Sequence, residues 1–306
     1  MRMLICLSLL CAACVGQADA KSKATLPDEL ALTGQNIVEV VIDGQPIRLE
    51  VRPEAADAPT LNPDIAIRLG LKPGMIGFRI AVGSEIVIGN SAVHKVDYGV
   101  GEKSQRIFWA GRASSIIADG TISPASLPYK RVRFILSEPS PSEMQRTVAL
   151  DNFGFLGRLG VGTTLNVEGE AIRFQFSLQR DETLVSAPTG NWLSQKQDGK
   201  FTGQPRQTLI YYGIQRPTRA MNLARPLTVA GSQLATVDVR YTDYGDASGI
   251  AAEDSAAADQ DEIVVVGKKD KKRSLAIVAG RRFLSGCSSL LYDFQQRNMV
   301  LSCKAN

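Results

Sequence analysis

The chain has 306 residues, with 35 Lys and Arg against 31 Asp and Glu, a net charge of +4, 44% hydrophobic residues and 22% charged ones. That composition can bury enough apolar surface to offset chain entropy, so disorder along the whole length is excluded. A charge this small and dispersed argues against nucleic acid as a partner. One histidine excludes a His-rich metal site, and no metal or cofactor is expected.

Residues 1–20 read as an export signal. Arg2 supplies the positive start, Met3 to Val15 is an apolar run, and Ala18-Asp19-Ala20 fits a small-x-small cleavage site before Lys21. A membrane-spanning helix needs about 20 apolar residues. This run is shorter, so the mature chain is expected to be exported to the periplasm without a transmembrane span. Ala12-Ala13-Cys14 also resembles a lipoprotein processing site, although Cys11 stands where Leu is preferred.

Past the signal the sequence is mostly strand-like, and the expected class is all-β. Ile37 to Ile42 and Ile47 to Val51 flank Asp43-Gly44-Gln45-Pro46, a hairpin signature. Asn62-Pro63-Asp64 starts a short helix that Gly70 stops. Further strands are expected at Ile86 to Ile88, Val132 to Leu136, Thr208 to Tyr212 and Val237 to Tyr241. The polar, Pro-rich run Ser137 to Ser142 reads as a domain boundary. Residues 244–273 carry an acidic run followed by a basic one and read as a solvated loop insertion.

Three cysteines, Cys6, Cys11 and Cys14, leave with the signal. The remaining pair, Cys287 and Cys303, is expected to form a disulfide in an oxidising compartment. Leu290 to Phe294, a turn over Gln295 to Asn298, and Met299 to Leu301 make a strand-turn-strand that would bring the two sulfurs together.

An internal repeat organises the chain. Asp43-Gly44-Gln45-Pro46-Ile47-Arg48-Leu49-Glu50-Val51 matches Glu168-Gly169-Glu170-Ala171-Ile172-Arg173-Phe174-Gln175-Phe176 without a gap, at an offset of 125 residues. Two such hairpins near the starts of comparable halves suggest a duplicated β unit.

With its downstream segments, this repeat resembles the retropepsin-like and pepsin-like aspartic peptidases. Thr60 to Leu71, ending Leu69-Gly70-Leu71, is similar to the helical segment that follows the family's Asp-Thr/Ser-Gly turn. Asp119-Gly120-Thr121-Ile122-Ser123-Pro124 and Leu275 to Leu284 resemble the family's closing motifs. The resemblance implies a two-lobe, duplicated β-barrel architecture. Its lobes would be residues 37–136 and 165–303, joined by a linker over 137–164, with 244–273 inserted in the second.

The family's chemistry needs one Asp from each lobe, sharing a proton. The corresponding positions fall on Arg52 or Pro53 and on Ser177 or Leu178, and Ser123 replaces the expected closing-motif Gly. No Asp-Thr-Gly or Asp-Ser-Gly occurs at either place. The resemblance therefore implies a pseudoenzyme that binds an extended peptide or protein partner between its lobes. Asp57 and Glu182, related by the same 125-residue offset, are the alternative dyad of an active endopeptidase, although both lie beyond the expected turns. Asp119 reads as a turn hydrogen-bonding residue. His94 lacks a partner motif, and it reads as a surface strand residue. Asp261 to Gly267 resembles the Ton box of outer-membrane receptors, or a strand that resumes the second half after the loop.

Overall fold

A computed structural model describes residues 26–153, 159–243, 247, 250 and 274–305. The export segment, the 261–267 segment and, apart from residues 247 and 250, the stretch 244–273 lie outside the described residues. In chain order the first half comprises β1 (Glu29–Leu32), β2 (Ile37–Ile42), β3 (Gln45–Val51), β4 (Thr60–Leu61), helix α1 (Pro63–Arg68), β5 (Gly77–Val82), β6 (Glu85–Asp97), β7 (Glu102–Ala110), β8 (Gly120–Ile122) and β9 (Arg131–Ile135). Then come β10 (Glu143–Ala149) and β11 (Asp151–Asn152). The second half comprises β12 (Val161–Val167), β13 (Glu170–Phe176), β14 (Leu184–Ser186), helix α2 (Ala187–Lys196), β15 (Gly199–Leu209), β16 (Gln215–Val229), β17 (Ser232–Arg240), β18 (Leu275–Ala279), β19 (Cys287–Asp293) and β20 (Asn298–Lys304). The described protein is mostly β.

The repeated sequence folds into the repeated hairpin. β3 and β13 have the same length and differ by the 125-residue offset at both ends. Each hairpin closes on a two-residue loop with both residues at positive φ: Asp43 and Gly44 at 47° and 79°, Glu168 and Gly169 at 49° and 82°. Such left-handed pairs match the twist of the flanking strands, and this is where an acid-Gly dipeptide is favoured. Alternation then puts Ile47, Leu49 and Val51, and likewise Ile172, Phe174 and Phe176, into the core at 0–1% exposure. Each fully buried apolar side chain of this kind is worth about 1.5–3 kcal/mol.

Two sheets repeat one order of pairings. In the seven-stranded sheet β8 lies parallel to β3 and antiparallel to β4, and β4 runs parallel to β7. In the eight-stranded sheet β18 lies parallel to β13 and antiparallel to β14, and β14 runs parallel to β17. A helix follows β4 and β14 alike, and a 3-10 turn follows β8 and β18. Both halves then deliver a strand to a third, five-stranded sheet of order β1-β9-β19-β20-β10, in which β9 and β19 pair antiparallel. Phe134 and Tyr292 meet edge to face at its centre, both fully buried.

Several local expectations are met. The short helix begins at Pro63 and ends before Gly70, whose φ of 63° stops it. Cys287 and Cys303 face each other across β19 and β20 and form a disulfide. Segment 137–164, expected as a linker, carries β10, which closes the third sheet by pairing along all seven residues with β20. Helix α2 is absent from the sequence expectation because Gly190 breaks its propensity. There the helix packs so closely that a Cβ would sit 2.5 Å from Val239 Cγ1. The strand expected over Thr208 to Tyr212 stops at Leu209, where Tyr212 and Gly213 adopt positive φ and turn the chain into β16. Among the described residues no helix is long and apolar enough to cross a membrane.

Candidate functional site

The loops after β3 and β13 meet. They hold the four positions where the resemblance expects catalytic aspartates. Arg52 lies beside a cavity, Pro53 is buried and accepts a 2.9 Å hydrogen bond from Val161 N, and Ser177 and Leu178 are buried. Between the loops, Ser177 Oγ donates to Glu54 Oε1 at 2.7 Å. Gly160 allows this approach, because a Cβ there would lie 2.5 Å from Pro53 O.

A polar network supports the first loop. Glu50 is fully buried, ion-paired with Arg52, and accepts from Ser115 Oγ at 2.6 Å. Arg52 also donates to Ser114 O, and Asn62 fixes that segment with five hydrogen bonds, donating to Ser115 O and Ala118 O and accepting from Ser114 N, Ser114 Oγ and Ser115 N. In the second half the position 125 residues on is Gln175, 3% exposed, whose Nε2 donates to Leu159 O at 2.6 Å. Both strands thus turn a buried polar side chain away from the face that carries the apolar core.

Above these loops lies a cavity of about 630 Å³ lined from both repeated sheets. Its walls include Arg52, Arg79, Arg173, Arg180 and Arg240, with Glu54 as the acid among them. Phe78, Phe108, Tyr211 and Tyr212 add aromatic surface. Two hairpins approach one another across it. Val82 and Val87 of β5–β6 pack with Leu184, Ile210 and Ile214, and Phe78 stacks on Tyr212 at 6.5 Å. At the hairpin tip, Arg216 Nη1 donates to Ser84 Oγ while its Nε donates to Asp243 at 2.8 Å. Burial raises the Tyr211 hydroxyl to about 12, and the nearby Glu54 charge adds to the rise.

Asp57 and Glu182 stand elsewhere. Asp57 accepts from Ser126 Oγ at 2.6 Å, and Glu182 pairs with Arg206 at 3.2 Å; neither lines the cavity. Asp119 accepts the Arg48 backbone N–H at 2.9 Å, and Ser123 caps a 3-10 turn. His94 does have a partner: its Nδ1 lies 2.6 Å from Asp43 Oδ2, across the β2–β6 pairing. Their separation of 51 residues hides that contact from sequence. Among the described residues no three metal-ligating side chains converge.

Glu54, Arg173, Arg180 and Tyr211 are the site residues that sequence reasoning missed. Arg173 sits inside the repeated Ile-Arg motif, and Glu54 inside the very turn where the resemblance expects an Asp. Compared with known proteins, the chain matches no family model and no curated sequence.

Proposed function

We propose that this is an exported protein of two-lobe, aspartic-peptidase-like fold. In this reading it binds an extended peptide or protein segment between its lobes without cleaving it. One observation carries the reading: the loops expected to hold the dyad meet through Glu54 and Ser177, so a single carboxylate, already engaged, stands where two would share a proton. The repeated pairing order around β8 and β18 supports the architecture. Among the described residues β5 is an edge strand of its sheet, and its residues Gly77 to Ile80 line the cavity, which gives an extended segment a backbone edge to pair with.

The test incubates the purified protein with a diverse peptide library from acid to mildly basic pH. Bound peptides are recovered by size exclusion, and all peptides are read by mass spectrometry. Intact, selectively retained peptides are expected. Reproducible cleavage, lost in Asp57→Asn or Glu182→Gln, would overturn the reading in favour of a displaced dyad.

A further inference from the structure

Among the described residues, the carboxylates beside the cavity do not balance its arginines. Arg52 is paired with Glu50 and Arg240 with Asp243. Arg79, Arg173 and Arg180 have no carboxylate partner among the described residues. Arg180 spends its two terminal nitrogens on the carbonyls of Leu209 and Ile210, each at 2.9 Å. Arg173 stands over the Phe153 ring at 5.8 Å. Among the described residues, Arg173 and Arg180 each keep a buried Nε–H with no acceptor. Each guanidinium lines the cavity, and an incoming oxyanion would meet its remaining terminal N–H groups with charge-assisted hydrogen bonds. Burial also lowers the Arg173 pKa, so desolvation there already works against the cation. The aromatic side chains Phe78, Phe108 and Tyr212 offer apolar surface in the same space.

We infer that the cavity selects an anionic ligand, a carboxylate-bearing extended peptide whose acidic group is held by Arg173 and Arg180 beside the aromatic wall. This rests on the cleft-binding reading above and adds the charge of the ligand to it. The planar guanidinium matches a carboxylate through paired donors, which a lysine cannot reproduce.

Isothermal titration calorimetry on the full protein tests it with three end-capped hexapeptides of one design, carrying two glutamates, two glutamines or two lysines. Sodium phosphate and glutarate serve as small anions. The glutamate peptide should bind at least about tenfold tighter than the glutamine one, and its affinity should fall as salt rises. Arg173→Gln with Arg180→Gln should erase the preference, and Arg173→Lys should recover only part of it. Thermal melts confirm that the variants are folded; if they are not, the ranking and salt dependence of the unaltered protein still decide. Equal binding of the glutamate and glutamine peptides overturns the inference and leaves cleft binding standing. Binding of phosphate or glutarate without any peptide supports the anion site and overturns the peptide as its source. Failure of every probe overturns both.

Discussion

Glu54 and Ser177 share a 2.7 Å hydrogen bond across 123 residues of chain, and both are buried where the two repeated hairpins come together. Among the described residues the other carboxylate oxygen of Glu54 is buried without a partner, and Ser177 is the side chain that satisfies this acid. Removing a single partner from a buried carboxylate costs more than the bond itself contributed. Ser177→Ala is expected to destabilise the protein by about 1–3 kcal/mol. Urea unfolding checks this, and an unchanged midpoint would show that the contact does not hold the halves together.

The N-terminal strand β1 is only four residues long and pairs on one side, with β9. Glu29 anchors it, and the Arg133 hydrogen bond, together with the charges of Arg133 and Arg131, holds its pKa below the ordinary carboxylate value. A lowered carboxylate pKa gives stability that is complete above the unfolded value and lost as pH falls through the folded one. Glu29→Gln should therefore cost up to about 1 kcal/mol at neutral pH. That difference should shrink as pH falls below the ordinary carboxylate value of 4.5 and through the lowered folded one. Paired melts across that range decide it; a gap that widened toward acid would contradict the assignment.

The disulfide closes a 16-residue separation at the β19–β20 pair. By the loop-closure argument, replacing Cys287 and Cys303 together by serine should cost about 3 kcal/mol. The unaltered protein should show the same loss of melting temperature in reductant, and the double variant should be insensitive to it. A melt indifferent to reductant would mean that the third sheet is held without the bridge.

Gly83 forms the tip of the β5–β6 hairpin at φ 60°, and a Cβ there would lie 2.3 Å from Arg216 Nε. Gly83→Ala meets both left-handed strain, about 1–2 kcal/mol, and this clash. The tip should lift from the Arg216–Asp243 pair, and hydrogen exchange across β5 and β6 should accelerate while the five-stranded sheet stays protected. Unchanged exchange in the hairpin would show that its position does not depend on that contact.

Much of this architecture was legible before any coordinates. The acid-Gly turns, the alternation at Ile47, Leu49 and Val51, and the 125-residue repeat predicted the two hairpins, because short-range φ requirements and a period of two are written locally. Pro63 and Gly70 likewise marked the ends of α1. Helix α2 was hidden because Gly190 answers a tertiary contact with Val239 rather than helix propensity. Tyr211 read as part of a strand because its β-type neighbours are the same whether the chain continues or turns.

The sequence by itself determined the β class, the two repeated hairpins and the pairing of Cys287 with Cys303. Tertiary structure decided which polar groups face one another. Glu54 meets Ser177, His94 meets Asp43, and Arg173 and Arg180 join one cavity without carboxylate partners among the described residues. These pairings join residues far apart in sequence, and their energies arise from burial and from satisfying donors in a common interior. Local sequence fixes each strand's face, while only the packing of the sheets determines which side chain stands opposite.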